Sequence, residues 1–334
     1  MIEHPATWAA SGNHGLRCAL AALRLHRVYA YHELQGDLHG EPFMGNLWRG
    51  QIGAWWHSNA PAAFTALMGD ADGGRHWALR APWSDGAWTP AGAMLATRVT
   101  LIGPAVEHAQ AVVDALEAVG RQGLGPRHGQ TGLRTQARLQ DLRVETLPGA
   151  SQVTPSALDV LEHTTAAEAM RHADVAGGSG DLLEVALTRP LRFKVDGTVF
   201  VGVPTMEQLL RRTLGRLVQL LPAAEGDRPD SGAGTVDTAG EAEPGDERRR
   251  LFDPQEHAAW MAAARDCHCV EHDLRAWHWR RHSRRSHQDM PLEGVTGRLR
   301  YQGPRATLLP WLRLADWLQI GSKTTFGFGA LEVG

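Results

Sequence analysis

The chain has 334 residues, 43% of them hydrophobic, which is enough material for two domains with separate cores. No apolar run approaches the roughly 20 residues that span a bilayer, and the opening MIEHPATWAASGNHG lacks both a basic region and a continuous apolar one, so a cytoplasmic protein with no membrane partner is expected. The net charge of −3 hides an asymmetry: residues 222–247 hold eight acids and one arginine, or −7, which leaves +4 on the remainder. That remainder favours arginine over lysine, and arginine is the better fork for phosphate, so a nucleic-acid partner is admissible.

From the N-terminus, Leu16 to Val28 reads as a strand and Met44 to His57 as a helix opened by Gly45 and Asn46. Strands follow near Arg75 to Leu79 and Met94 to Ile102, then a helix from Ala105 to Val119 and a strand from Leu133 to Val144. The order is βαββαβ. Residues 149–180 are loop-like at both ends, with room for a short helix, and mark the expected boundary between a domain at 1–148 and one at 181–334.

The second half repeats the order. Leu182 to Val195 is a strand interrupted at Pro190, Thr205 to Leu221 a strongly periodic helix, Cys269 to Trp279 and Val295 to Tyr301 strands, Thr307 to Ile320 a helix and Phe326 to Val333 the last strand. Between the first helix and the next strand lies the acidic stretch, 222–248, rich in Gly, Pro and Ala with almost no large apolar residue. Such a composition cannot repay the entropy of ordering, so a disordered insertion is expected, one that repels nucleic acid from its neighbourhood. The fold class is therefore α+β: two tandem ferredoxin-like (split βαβ) domains.

Three clusters of residues carry chemistry. The glycine-rich loop GSKTTFGFG, 321–329, follows a helix and offers Ser322, Lys323, Thr324 and Thr325 to an anion, with glycines that let backbone N–H groups approach it. It is not a Walker A loop, because the lysine precedes rather than follows the second glycine. The segment WHWRRHSRR alternates so that Trp277, Trp279 and Arg281 share one strand face and His278, Arg280 and His282 the other, with Arg284 and Arg285 beyond; indoles stack bases and arginines track phosphates. Cys267, His268 and Cys269 with His272 and His278 raise zinc, but no second ligand pair stands at a recognised spacing and buried free thiols are the expectation. No paired acids suggest two-metal chemistry, and neither metal nor cofactor is implied.

The ordered set of motifs resembles a known family. The αβ junction with GSKTTFGFG at the end of a tandem ferredoxin-like chain, WHWRRHSRRSHQDMPLEGVTGRL, VDALEAVGRQGLGPRHGQTGL and FMGNLWRGQIGAWW together are similar to the CRISPR precursor-RNA processing endoribonucleases of the RAMP superfamily. The resemblance implies metal-independent cleavage at the base of a repeat stem-loop, leaving a 5′-hydroxyl and a 2′,3′-cyclic phosphate, with CRISPR repeat RNA and other effector-complex subunits as partners. A non-catalytic subunit that holds the repeat end of a guide RNA is the alternative. Under the first reading a histidine serves as base. His57 stands eight residues after Arg49 with Gly53 between, one helix face that can present a base and a cation to one phosphate; a helix-terminal cap is its other reading, and Ala54 stands where related sequences often carry histidine. His32 and His39 are the reserve bases, and Tyr31, with Tyr29, a reserve proton donor.

Overall fold

A computed structural model of the chain describes residues 13–39, 43–69, 76–83, 88–125, 134–147, 150–153, 163–171, 181–221, 251–283 and 288–334. In chain order the helices are α1 (His14–Ala22), α2 (Gly45–Asn59), α3 (Pro61–Met68), α4 (Ala109–Gln122), α5 (Ala166–Arg171), α6 (Met206–Leu220), α7 (Pro254–Arg265) and α8 (Arg305–Leu318). The strands are β1 (Arg24–Leu34), β2 (Leu38–His39), β3 (Trp77–Arg80), β4 (Trp88–Thr89), β5 (Met94–Ile102), β6 (Ala137–Leu147), β7 (Ala150–Val153), β8 (Thr164–Thr165), β9 (Leu182–Leu191), β10 (Lys194–Val195), β11 (Thr198–Val199), β12 (His268–Ser283), β13 (Gln288–Gln302) and β14 (Leu331–Val333). Among the described residues no helix is long and apolar enough to cross a membrane.

The contacts divide the chain into two units: Leu23–Thr165 with Thr325–Gly327, and α1 with Ala166–Thr324 and Phe328–Gly334. In the first, the main strands run β3-β5-β1-β6, all antiparallel, which is the ferredoxin-like order with the fourth strand beside the first. The even-numbered residues of β1 from Val28 onward face the helices. Val28, Ala30 and Leu34 there meet Trp48, Ile52 and Trp56 of α2 and Val112, Leu116 and Val119 of α4 in one buried cluster. Two of its indoles find the partners that buried N–H groups need: Trp56 donates to the Ala111 carbonyl at 2.9 Å and Trp77 to that of Leu67 at 2.6 Å.

The second unit repeats the order as β12-β13-β9-β14. Helix α6 begins with a capping box, the Thr205 hydroxyl accepting from the Gln208 N–H while the Gln208 side chain accepts from Thr205. Its buried Leu209, Leu210, Leu214 and Leu217 share a core with Leu183, Val185 and Leu187 of β9 and Leu308, Trp311 and Leu312 of α8. β9 pairs with β13 only from Val295 onward, so Trp277–Ser283 and Gln288–Gly294 continue as a two-stranded arm past the end of the sheet.

Three expectations differ from the structure. Leu16 to Val28 is not one strand: Leu16 and Leu20, four apart and fully buried, belong to α1, whose first turn is capped by Asn13 accepting from the Leu16 N–H at 3.0 Å. That helix groups with the second unit, where Asn13 donates to the Leu251 carbonyl at 2.7 Å, so the expected 1–148 domain and the observed unit differ at their start. Helix α7 was not expected, and the last strand starts at Leu331, because Thr324–Phe326 is a 3₁₀ turn. The acidic insertion expected at 222–248 lies outside the described residues.

Candidate nucleic-acid interface and active site

Each unit carries candidate residues of its own. In the first unit the N-terminus of α2 is pressed against the glycine-rich loop. A Cβ on Gly45 would lie 1.9 Å from the Phe326 carbonyl oxygen, and the Arg49 guanidinium, one turn later, sits 4.4 Å over the Phe326 ring. Arg49 is thereby held at the loop. His57 is about 12 Å further along the helix axis, exposed, with its ring edge-on to Phe64 of α3 at 4.9 Å. Gly53, read from the sequence as room for a phosphate, is filled instead: a Cβ there would stand 2.7 Å from the Met68 terminal methyl. The shared face of Arg49, Gly53 and His57 is real, but α3 lies on it.

His32 is a core residue and is withdrawn as a base. It is fully buried, its Nε2 is 2.9 Å from the Leu116 carbonyl and its ring meets Trp48 edge-on at 6.0 Å. Burial lowers its pKa, and the Leu116 hydrogen bond only partly offsets this. Even numbering on β1 dictated that outcome, since His32 shares the helix-facing side with Ala30 and Leu34. Tyr31 and Tyr29 lie on the opposite face. The Tyr29 hydroxyl donates to Glu145 at 2.6 Å, and Tyr31, half-buried, carries the Arg143 guanidinium 5.3 Å from its ring centroid.

His39 is exposed, on the two-residue strand β2, directly opposite Trp88 of β4. Sequence reasoning passed over Trp88, which is 52% exposed. Asp37 fixes the neighbourhood: its carboxylate accepts from the Ala91 N–H at 2.9 Å and from Trp88, and these bonds, the Ala91 one foremost, hold its pKa below the usual carboxylate range.

In the second unit, Trp277 and Trp279 share one face of the arm with ring centroids 6.1 Å apart, and Trp277 meets Phe328 of the glycine-rich loop at 5.7 Å. His278 points the other way, 3.5 Å from Glu293. Arg280 and Arg281 lie on β12, while Arg284 and Arg285 fall outside the described residues. Thr324 and Thr325 are buried, which removes their hydroxyls as surface donors; Ser322 and Lys323 are half-buried. Cys267 and Cys269 are free thiols, and burial pushes the Cys267 thiol up to about 11. Among the described residues no group of three His, Cys, Asp or Glu is arranged to hold a metal.

The loop's glycines are there for the backbone. Gly321, Gly327 and Gly329 all have positive φ, and a Cβ on Gly329 would lie 1.8 Å from the Ile320 carbonyl oxygen. Gly329→Ala should therefore cost about 2 kcal/mol or more of stability. Gly50→Ala, at an exposed position of α2 with nothing within 4 Å of the added carbon, should stabilise by about 0.5–1 kcal/mol. Urea midpoints of the two variants check both signs.

Residues 185–331 match the model of a family described as CRISPR-associated endoribonuclease Cas6. No curated protein matches the chain in sequence. Among solved structures the chain is similar to a Cas6 product complex, at 15% identity and TM-score 0.54 over 93% of this chain and 100% of that one. It is similar to Thermus thermophilus Cas6, at 13% identity and TM-score 0.54 over 94% and 100%. A Cas6-RT-Cas1–Cas2 complex matches at 12% identity and TM-score 0.55, over 94% of this chain and 29% of that one. At such identities these structures speak for the fold, two tandem ferredoxin-like domains. Over residues 185–331 the chain is thus similar in sequence to the Cas6 endoribonuclease family, and over nearly its whole length it shares the fold of Cas6 structures.

Proposed function

We propose that the protein cleaves CRISPR repeat RNA at the base of a stem-loop without a metal ion, leaving a 2′,3′-cyclic phosphate and a 5′-hydroxyl. The observation that carries the assignment of the base is the exposed pair of His39 and Trp88 on neighbouring strands. A neutral imidazole there takes the proton from the 2′-hydroxyl, the 2′-oxygen attacks the adjacent phosphorus, and the bond to the 5′-oxygen breaks. Charge gathers on the non-bridging oxygens, and Arg49, held over Phe326, is the cation assigned to it. Tyr31, at the same end of β1 that leads to His39, is assigned to protonate the departing oxygen. The Trp277 and Trp279 arm, with the arginines that follow it in sequence, fits the stem and its flanking bases.

Repeat RNA and CRISPR protein partners follow from this reading, which draws on structures of a Cas6 with its product and of a Cas6-RT-Cas1–Cas2 complex. The alternative of a non-catalytic subunit is not favoured, because the family matched is one of endoribonucleases. The test is cleavage of a labelled repeat hairpin in EDTA with analysis of the product ends. The expected result is unimpaired cutting and a cyclic phosphate; loss of activity on chelation, or a 3′-hydroxyl product, would overturn the mechanism.

A further inference from the structure

Arg192 follows the last residue of β9 and belongs to none of the motifs read from the sequence. Its carbonyl accepts from the Ser322 N–H at 2.8 Å and from the Ser322 hydroxyl at 3.2 Å, and its Nη1 donates back to that hydroxyl at 3.1 Å. Gly321 makes this possible: φ is 87°, and a Cβ there would stand 2.4 Å from the Arg192 oxygen. The guanidinium is thus fixed at the mouth of the glycine-rich loop, next in space to the residue that precedes Lys323.

It is also incompletely satisfied. Nε is buried without a hydrogen-bond partner, and no carboxylate pairs with the side chain among the described residues. Glu293 is close enough to act on it electrostatically, but its carboxylate faces His278 at 3.5 Å. Half-burial lowers the Arg192 pKa, with Glu293 working the other way, so the charged form is held at a cost that an arriving anion would repay. A buried charge short of partners is expensive unless something binds it.

We propose that Arg192 is a phosphate-binding residue, which with Ser322 and Lys323 grips one RNA phosphate at the glycine-rich loop. The inference rests on the RNA-processing reading above. It extends that site to a residue 130 positions upstream of Ser322 in sequence.

The experiment measures the affinity of the full chain for the repeat hairpin across a salt series, for the wild type, Arg192→Gln and Arg192→Lys. One lost phosphate contact lowers the slope of log affinity against log salt by about 0.7–0.9. Arg192→Gln should show that drop with affinity weakened about tenfold at 100 mM salt. Arg192→Lys, which keeps the charge and loses the fork, should keep the slope and bind a few-fold more weakly. Thermal melting separates a lost contact from a lost fold. A wild-type slope in folded Arg192→Gln overturns the inference, as does wild-type affinity in Arg192→Lys. A wild type that binds no repeat RNA brings down the function reading, and this inference with it.

Discussion

His39→Ala should slow repeat-RNA cleavage by at least about 100-fold, the usual range for a lost general base, while affinity for the hairpin changes only a few-fold. The argument is positional. A base that acts on a 2′-hydroxyl must be reachable by RNA, neutral at the working pH and beside a surface that can hold the nucleotide still. His32 fails the first condition by being fully buried. His57 meets it, but its ring is committed to Phe64 and it lies about three turns of helix from Gly45, the end of α2 that touches the loop. His39 meets it with an exposed indole directly across the ladder. His57→Ala should accordingly remain within a few-fold of wild type. Single-turnover kinetics at saturating enzyme check this, since they isolate the chemical step from release of a tightly held product. The reverse pattern, with His57→Ala inert and His39→Ala active, would return the base to α2.

The double βαββαβ order was legible because period-2 and period-3.6 apolar patterns persist through both halves, and Met94 to Ile102 was read to its ends. What misled was local. HGLRCALAALRLH contains both a helix and a strand, and the cue that divides them, Asn13 capping a turn whose Leu16 and Leu20 go inward, is a single side chain. Helix α7 announced itself through Asp253 at the N-cap and Pro254 behind it, yet its alanine-rich body buries only Trp260, Met261 and Ala264 and has little periodic signal. The site was less legible than the fold for a different reason. The loop and the tryptophan-arginine arm are contiguous in sequence and stood out, whereas His39 meets Trp88, and Arg192 meets Ser322, only through pairings that local pattern cannot encode. The glycines of 321–329 were read as serving a ligand, and their positive φ angles show that the turn itself demands them.

Glu145→Ala should destabilise the first unit by about 3–5 kcal/mol, the largest structural effect expected from a single polar substitution in that unit. On the side of its sheet away from the helices, Arg27 and Glu145 are 2% and 8% exposed and 3.3 Å apart, and Tyr29 donates to the same carboxylate oxygen. In register, Arg27 on β1 faces Glu145 on β6 across the ladder, so the pair ties the first strand of the unit to its fourth. Ion pairs at this depth contribute little net stability compared with an apolar pair, because both charges have left water. Removing one partner is another matter: the remaining arginine keeps its desolvation cost and loses its counter-charge. Arg27→Met with Glu145→Leu should therefore cost much less than Glu145→Ala, although it changes more atoms. Hydrogen exchange of β1 and β6 amides in a urea series reads the effect where it arises. A loss below about 1 kcal/mol for Glu145→Ala would mean that Arg27 is held by its other contacts, and the double variant would then gain nothing over the single. The same network bears on function. In single-strand binders of this fold the open sheet face offers aromatic rings to bases, but here the Tyr29 hydroxyl is spent on Glu145 and the Tyr31 ring lies beside Arg143. With the centre of that face committed to holding strands together, the proposed RNA contacts of this unit fall to its edges, where His39 and Trp88 stand exposed.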